Sequence, residues 1–346
     1  MHKRKIWQST ILQDNKKIKD IINRLNSSSL QIILIVNKNN KFVGTVTDGD
    51  LRRGMFGGLK LHDDITKIIN KKSIFANPDL SYEDAKILMK ANRIRHIPII
   101  NKYKKIVGLH LLDDVSNISV PNTFVIMAGG LGKRLRPFTK NTPKPMLKIG
   151  NKPILEHIIL KAKSEGFNNF IISVHYLHKK ITNYFKNGEK LNVNIKYIYE
   201  KIPKGTAAGL KKLKVKNKDP ILVTNGDVIS DVSYAKIIEY HKNNKSDVTV
   251  VIRNITQKNH YGVVKLKDTK VIGFEEKRSF VININTGIYV LNNNLLKLLN
   301  NKYEDMPNFL EKLRKKNKKI LAYPIYEKWV DIGTKQIFRN TKKNFN

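Results

Sequence analysis

Short apolar runs that alternate with helical patterns constrain the C-terminal two thirds of the chain. The apolar runs cover residues 124–128, 170–176, 195–200 and 220–227, and each has the length of a buried strand. The helical patterns cover residues 153–165, 178–186 and 233–243. This alternation predicts an α/β fold with a mostly parallel sheet and helices on both faces. In such sheets ligands bind beyond the carboxyl ends of the strands.

The first 120 residues contain an internal repeat. Residues 36–54 and 100–117 share a strand, a polar turn, an apolar strand with a glycine, and an acidic end. A helical pattern precedes each copy, so the period is about 60 residues. Pro121 marks the change to the second pattern. We therefore predict two repeat domains over 1–58 and 59–120, followed by an α/β domain over 121–346.

The first apolar run of the α/β domain ends in the loop MAGGLGKRLRPFTKNTPKPM, residues 127–146. Glycines after a strand let backbone N–H groups approach a phosphate or a base edge. The loop is not a P-loop, because Arg134 follows Lys133 where Ser or Thr is required. It is not the dinucleotide fingerprint, because Leu135 stands where the third glycine is required. Lys144 lies between two prolines, which fix the backbone around its ammonium group.

This loop and five later motifs, in order, resemble the sugar-1-phosphate nucleotidyltransferases over residues 124–340. The later motifs are Glu200 with Gly205-Thr206-Ala207, Gly226-Asp227, Glu276-Lys277, Asn285-Thr286-Gly287 and Trp329 to Gly333. One departure is Ala208-Gly209, where the family more often has Gly-Ala. The resemblance implies a Rossmann-like domain that joins a sugar 1-phosphate to a nucleoside triphosphate and releases pyrophosphate.

In that reaction the nucleophile is a phosphate oxygen that is already anionic, so no general base is required. Repulsion between two polyanions is the obstacle, and cations with correct positioning overcome it. By the resemblance, Arg134 faces the β- and γ-phosphates, Lys144 lies by the α-phosphate, and Lys277 neutralises the sugar phosphate. Asp227 and Asp331 would hold Mg²⁺, which prefers carboxylate and phosphate oxygens.

The resemblance also assigns residues to the two substrates. Those for the nucleotide are Ala128, Gly129, Gly130, Gly132, Glu200, Gly205 and Thr206. Those for the sugar phosphate are Gly226, Glu276 and Asn285.

Each copy of the N-terminal repeat resembles a CBS domain, so the two copies form a Bateman module of the α+β class. Residues 44–50, GTVTDGD, match the element whose Thr and Asp hold a nucleotide. The resemblance implies an adenine nucleotide at Thr47, Asp50 and Asp114, although the second copy has Leu111 in place of the Thr. A structural or dimerising role is the alternative, and we expect a homodimer.

The formal net charge of +38 raises the question of nucleic-acid binding. The lysines are spread along the whole chain, and no motif combines Arg with aromatic residues to stack bases. We therefore expect no specific nucleic-acid partner, and weak binding of polyanions remains an alternative.

The sequence also argues against a membrane-spanning protein, a protein with a signal peptide and a disulfide-bonded protein. The longest apolar run, residues 32–36, is too short to span a membrane. The first ten residues lack the apolar segment of a signal peptide, and the chain has no cysteine for a disulfide. These features favour a cytoplasmic protein without a membrane partner. No hexapeptide repeat follows Asp331, so the acetyltransferase half of some bifunctional relatives is not expected.

The base and the sugar are the least constrained substrates. The order of CBS pair and transferase resembles guanylyltransferases of bacterial surface-glycan pathways, including those that form GDP-glucosamine for legionaminic acid synthesis. We therefore expect GTP and glucosamine 1-phosphate, with mannose and heptose 1-phosphates, or UTP, CTP and dTTP, as alternatives. An adenine-nucleotide sensor with an inactive transferase domain is the non-enzymatic alternative.

Overall fold

The computed structural model describes residues 3–28, 30–92, 94–112, 120–200, 202, 205–213, 219–258, 261–276, 279–300 and 302–344. The chain forms two compact units, Met1–Ser116 and Asn117–Asn346. Within the described ranges, no helix combines the length and the apolar character needed to cross a bilayer.

In its described residues, the first unit contains five strands and three α-helices. In chain order they are β1 (Ile11–Gln13), α1 (Ile18–Ser27), β2 (Ile32–Val36), β3 (Phe42–Thr47), α2 (Asp48–Phe56), α3 (Tyr82–Ala91), β4 (His96–Ile100) and β5 (Ile106–Leu111). β1 pairs parallel to β2, and β2 pairs antiparallel to β3. β4 and β5 form a second antiparallel pair. A parallel bridge between Ala76 and Ile99 lies beside β4, in the position that β1 has beside β2.

The two halves of this unit repeat the same local structure. α3 begins at Tyr82, 64 positions after α1 begins at Ile18. The two hairpin turns match in detail, because Asn37 and Asn101 each accept hydrogen bonds from the backbone N–H groups two and four residues later. Each hairpin has a register shift at the end of its first strand. The predicted repeat is confirmed.

The part of the second unit that the structure describes contains thirteen strands and six α-helices. They are β6 (Phe124–Ala128), β7 (Lys148–Ile149), β8 (Lys152–Pro153), α4 (Ile154–Ser164), β9 (Asn169–Val174), α5 (His178–Phe185), β10 (Asn194–Tyr199), α6 (Gly205–Ala208), β11 (Ile221–Asn225), β12 (Val228–Ser230), α7 (Tyr234–Asn243), β13 (Val248–Lys258), β14 (Val263–Lys267), β15 (Lys270–Glu275), β16 (Ser279–Leu291), α8 (Met306–Lys315), β17 (Ile320–Ile325), β18 (Trp329–Asp331) and α9 (Lys335–Lys343).

Seven of these strands form one sheet, in the order β10-β9-β6-β11-β16-β13-β17. β16 runs antiparallel to both of its neighbours, and the other adjacent pairs are parallel. The predicted α/β fold with a mostly parallel sheet is therefore confirmed. β12 pairs with β18 and β14 with β15 in two smaller ladders.

Alternate residues of the central strand β6 enter two separate cores. Phe124, Ile126 and Ala128 pack into a core with residues of α4, α5, α7 and α9. Val125 belongs to a second core with residues of α6 and α8. Because successive side chains of a strand point to opposite faces, helices cover both faces of the sheet. The glycine loop, Glu200 and Asp227 follow β6, β10 and β11, so these predicted site residues lie at the carboxyl ends of neighbouring parallel strands.

Candidate active site

The glycine loop begins where β6 ends. Gly132 has φ +63°, and a Cβ atom there would lie 2.9 Å from Cγ2 of Thr139. Oγ1 of Thr139 donates to the carbonyl oxygen of Gly132 at 2.8 Å, which holds the loop in this form. A 3₁₀ turn over Lys133–Leu135 follows, with Leu135 buried in the core and Arg134 exposed. The turn therefore anchors the loop through leucine and presents a guanidinium group to solvent.

Gly226 joins the end of β11 to the same loop. Its N–H donates to the carbonyl oxygen of Met127 at 2.8 Å, and a Cβ atom at Gly226 would lie only 3.3 Å from Cα of Ala128. Asp227, the next residue, is therefore held close to the start of the glycine loop. The sequence predicted both segments as site elements, and the structure brings them together.

Lys144 and the two predicted metal ligands form one cluster. The ammonium group of Lys144 donates to Oδ2 of Asp227 and lies 3.8 Å from Oδ1 of Asp331. Lys144 begins a 3₁₀ turn between the buried residues Pro143 and Pro145, and its side chain is only 11% exposed. The pairing of β12 with β18 places Asp331 opposite Val228, and the N–H of Ile332 donates to the carbonyl oxygen of Asp227.

One carboxylate of this cluster, that of Asp331, is in an electrostatically unfavourable position. Burial, together with the neighbouring Asp227, raises the pKa of Asp331 above its usual value, although Lys144 and Arg134 pull it down. Oδ1 of Asp331 is buried without a hydrogen-bond partner among the described residues. Arg134 approaches the same place, since its Nη1 lies 3.7 Å from where a Cβ of Gly333 would be. The cluster thus has a carboxylate oxygen that a bound cation would satisfy.

The donor set fits Mg²⁺ rather than a metal held entirely by protein. In the described part of the chain, no group of three or more His, Asp or Glu side chains could hold a metal ion. Two carboxylates are the usual protein share of a Mg²⁺ site that is completed by substrate phosphates and water. Asp227 and Asp331 would provide that share if Mg²⁺ binds here.

Glu200 lies at the end of β10, beside the glycine loop. Its Oε1 accepts a hydrogen bond from the buried Ser173, and its carbonyl oxygen is 2.7 Å from Nδ1 of His175. The same Oε1 would lie 3.5 Å from a Cβ at Gly129 and 2.9 Å from a Cβ at Gly209. The departure noted in the sequence, Ala208-Gly209, therefore places a glycine where a larger residue would collide with this carboxylate.

Sequence reasoning missed Ser173 because a serine in a buried strand carries no signal of its partner. Strand pairing of β9 with β10 was predictable, but which side chains meet across the ends of the two strands was not.

Gly205 and Thr206 contact the residues at the start of α8. The N–H and hydroxyl of Thr206 donate to Oδ1 of Asp305 at 3.0 and 3.4 Å, and its hydroxyl accepts from the N–H of Met306 at 2.8 Å. A Cβ at Gly205 would lie 2.6 Å from the carbonyl oxygen of Glu304. In this structure the Thr206 side chain caps α8, and its contact with a nucleotide remains a prediction.

The Asn285-Thr286-Gly287 motif forms a bulge in β16. Nδ2 of Asn285 donates to the hydroxyl of Tyr289 at 2.7 Å, and its Oδ1 accepts from the N–H of Gly287. Gly287 has φ +77° and packs on the side chain of Asn225, two residues before Asp227. The motif is thus adjacent to the aspartate cluster through Asn225.

The structure gives less information on the other two residues predicted to contact the sugar phosphate, Glu276 and Lys277. The side chain of Glu276 is exposed after β15, and no described contact joins it to the aspartate cluster. Lys277 lies outside the described residues.

In the first unit, Thr47 and Asp50 form the N-terminal cap of α2. The hydroxyl of Thr47 donates to Oδ2 of Asp50 at 2.7 Å, and the N–H of Asp50 donates back to that hydroxyl at 3.3 Å. Arg53 also contacts the Asp50 carboxylate. Asp114 lies outside the described residues, and nucleotide binding by this group remains a prediction.

Comparison with known proteins identifies both parts of the chain. The nucleotidyl transferase family matches residues 123–345, and the CBS domain family matches residues 9–57 and 64–115. The chain is 33% identical to D-glycero-α-D-manno-heptose 1-phosphate guanylyltransferase of Aneurinibacillus thermoaerophilus, over 63% of this chain and 96% of that protein. It is 32% identical to mannose-1-phosphate guanyltransferase of Yarrowia lipolytica, over 62% of this chain and 61% of that protein.

The chain thus spans about six tenths of the length of the Yarrowia relative. Among solved structures, HddC from Yersinia pseudotuberculosis is similar with a TM-score of 0.53 and 25% identity, over 65% of this chain and all of that chain. HddC has also been solved in complex with GMP-PN. The ordered motifs, the mostly parallel sheet and these matches agree, and the chain belongs to the nucleotidyl transferase family, with two CBS domains before its transferase domain.

Proposed function

We propose that the protein transfers GMP from GTP to a sugar 1-phosphate, giving a GDP-sugar and pyrophosphate. The cluster of Lys144, Asp227 and Asp331 beside the glycine loop is the observation that carries this proposal. It combines a buried cation with two carboxylates at the edge of the sheet where ligands of α/β proteins bind. Such a cluster suits phosphoryl-group chemistry, in which charge neutralisation and positioning lower the barrier.

In the reaction, a phosphate oxygen of the sugar 1-phosphate attacks the α-phosphorus of GTP. The bond from that phosphorus to the bridging oxygen breaks, and pyrophosphate leaves with the electron pair. Lys144 stabilises the negative charge at the α-phosphate, and Arg134 that on the departing phosphates. Mg²⁺ bound by Asp227 and Asp331 would supply further positive charge to the triphosphate. Lys144 must then exchange its contact with Asp227 for one with the phosphate.

Recognition of guanine is assigned to Glu200. Guanine presents two donors side by side, the ring N1–H and the exocyclic amine, and a carboxylate is an acceptor with two oxygens. The position of Glu200 beside Gly129 supports this assignment, because the base would lie against the backbone of the loop. The two curated relatives are guanylyltransferases by name, which also supports GTP.

The sugar is proposed to be a hexose or heptose 1-phosphate. The order of domains favours glucosamine 1-phosphate, whereas the relatives are named for mannose and D-manno-heptose 1-phosphates. Asn285 is proposed to bind the sugar hydroxyls, because its bulge adjoins Asn225 and the aspartate cluster.

Pyrophosphate release tests the proposal directly. GTP, UTP, CTP and dTTP are each combined with glucosamine, mannose and heptose 1-phosphates in the presence of Mg²⁺. GTP should be the best donor by about tenfold or more in kcat/KM, which corresponds to about 1.4 kcal/mol. A smaller preference would overturn the guanylyl assignment, and no turnover with any pair would overturn the reaction. The second would favour the alternative of a CBS-based adenine-nucleotide sensor.

A further inference from the structure

The part of the glycine loop around Lys140 is bonded to the segment that follows β9. The hydroxyl of Tyr176, two residues after β9 ends, donates to the carbonyl oxygen of Lys140 at 2.7 Å and lies 3.5 Å from that of Thr139. The ammonium group of Lys180, in the first turn of α5, donates to the carbonyl oxygen of Asn141. Two side chains from one segment therefore hold two consecutive peptide groups of the loop.

Thr139 connects these contacts to the start of the loop. Its side chain is buried, and its Oγ1 donates to the carbonyl oxygen of Gly132 at 2.8 Å. A Cβ atom at Gly132 would lie 2.9 Å from Cγ2 of Thr139 and 3.4 Å from Cβ of Lys144. The 3₁₀ turn that presents Arg134 begins directly after Gly132. Groups packed this closely cannot move independently, so a displacement of Lys140 would reach both predicted cations of the site.

The hydrogen bonds inside the loop do not fix its place on the domain. Four of its backbone N–H groups donate to carbonyl oxygens three residues earlier, all within the loop: those of Leu135, Arg136, Phe138 and Lys140. Such bonds define turns, and a series of turns can move as one body. Tyr176 and Lys180 belong to a different segment, so their hydrogen bonds do restrict where the loop lies.

A second contact holds the loop from the side of α9. The rings of Phe138 and Phe338 meet edge to face with centroids 5.4 Å apart, and Cζ of Arg339 lies 6.0 Å from the centre of the Phe138 ring. Phe338 is buried, whereas Phe138 is exposed. Apolar contact is not directional, whereas hydrogen bonds are. The bonds from Tyr176 and Lys180 are therefore the contacts that set the orientation of the loop.

Positive charge in the loop opposes this arrangement. Four exposed cationic side chains lie close together in the sequence: Lys133, Arg134, Arg136 and Lys140. Like charges repel each other, and the ammonium group of Lys180 adds to them. The free loop is thus under electrostatic repulsion, which the hydrogen bonds to its backbone counteract.

We propose that Tyr176 is a positioning residue of the triphosphate site, with Lys180 as its partner. Acting through Thr139, its hydroxyl group holds the loop in the form that presents Arg134 and Lys144 before the triphosphate arrives. A polyanion then meets a preorganised group of cations and does not have to order it. The effect of Tyr176 on turnover rests on the proposed function, whereas its effect on the loop is a property of the free protein.

Hydrogen exchange of the full chain without ligand tests the effect on the loop. Tyr176→Phe removes only the hydroxyl group, and peptides that cover residues 132–142 should exchange at least fivefold faster than in the wild type. Lys180→Met should also speed this exchange. The unfolding temperature of Tyr176→Phe should equal that of the control variant Tyr197→Phe.

Two matched variants serve as controls. Tyr197→Phe removes a bond of the same kind, from a tyrosine hydroxyl to the carbonyl oxygen of Lys186 at 2.7 Å. Lys179→Met removes the same charge as Lys180→Met from the neighbouring position, where the ammonium group has no described contact with the loop. Neither control should change the exchange of residues 132–142. Unchanged exchange in Tyr176→Phe, or an equal increase in Tyr197→Phe, would overturn the proposal.

Steady-state kinetics test the effect on the triphosphate. Tyr176→Phe should raise KM about fivefold for each triphosphate that the wild type uses, because one hydrogen bond is lost and phosphates are common to all of them. KM for the sugar 1-phosphate and the order of preference among the triphosphates should not change. An unchanged KM for the triphosphates, or an equal rise in KM for the sugar 1-phosphate, would contradict the role of Tyr176. If the wild type releases no pyrophosphate with any pair, the proposed reaction fails, and the exchange measurement alone decides the role of Tyr176.

Discussion

At the scale of single residues, the contact between Ser173 and Glu200 determines how the proposed base-recognising carboxylate is held. Ser173→Ala removes a hydrogen bond to this carboxylate, and such a bond contributes about 1.5–3 kcal/mol. We expect kcat/KM for GTP to fall roughly tenfold or more, with a smaller preference for GTP over UTP and dTTP. Pyrophosphate release with each triphosphate measures both quantities.

Ser246→Ala is the matched control, because Ser246 is a buried serine of the same unit whose hydroxyl has no described partner. It should leave the triphosphate preference unchanged. If Ser173→Ala also leaves that preference unchanged, Ser173 does not position Glu200 for base recognition.

Asp331 gives a pH-dependent prediction at the same scale. Its pKa is raised by burial and by Asp227, so in the folded, metal-free protein its ionised form is disfavoured. A group with a raised pKa in the folded state destabilises the fold above that pKa, and the penalty disappears as the pH falls toward the unfolded value of 3.8. Asp331→Asn should therefore unfold at a higher temperature than the wild type at pH 7 without Mg²⁺.

This gain in stability should shrink as the pH falls toward 4, because the wild-type carboxyl then also becomes neutral. Thermal unfolding of both proteins from pH 4 to pH 8 measures it, and the variant should lose transferase activity. An equal or lower unfolding temperature of Asp331→Asn at pH 7 would show that the ion pair with Lys144 outweighs the burial of the carboxylate.

At the scale of elements, the sequence predicted β6, β9, β10 and β11 and the helices α4, α5 and α7 to within a few residues, whereas β13, β16 and β17 were not among its predictions. β6 begins and ends where the apolar run does, and α4, α5 and α7 match the helical patterns. The antiparallel direction of β16 was not predictable, because an alternating pattern carries no information on strand direction. Thr206 and Asp305 meet across 99 residues, and local patterns cannot reveal such contacts.

The junction between α6 and the following 3₁₀ turn gives the prediction at this scale. Gly209 stands there, and a Cβ atom would lie 2.9 Å from Oε1 of Glu200. Gly209→Ala should move the carboxylate and raise KM for GTP roughly tenfold or more, since small displacements of a positioning group are costly. Gly273→Ala, in β15 where a Cβ would meet nothing within 4 Å, is the control. Equal KM values for the two variants would contradict the assigned role of Glu200.

At the scale of the whole molecule, the presence of two CBS domains before a transferase domain raises the question of whether the CBS domains regulate the transferase reaction. The family resemblance of the ordered motifs assigned Lys144, Asp227 and Asp331 to one site, and the three side chains lie together in the structure. It did not predict that Thr47 and Asp50 satisfy each other in a capping box. A nucleotide bound there must compete with these hydrogen bonds, so its binding would alter the start of α2.

A ligand changes activity only if it binds two states of the protein with different affinity. If Thr47 and Asp50 hold an adenine nucleotide, AMP or ATP should change the rate of pyrophosphate release at least twofold, or change the oligomeric state measured by light scattering. Asp50→Asn should abolish the change.

Asp20→Asn is the matched control, because Asp20 accepts from the N–H of Lys17 in the cap of α1 and is not part of the predicted nucleotide group. A response that persists in Asp50→Asn would show that the nucleotide acts at a site other than the Thr47–Asp50 group. No response in any of the proteins would leave the repeat pair with a structural role.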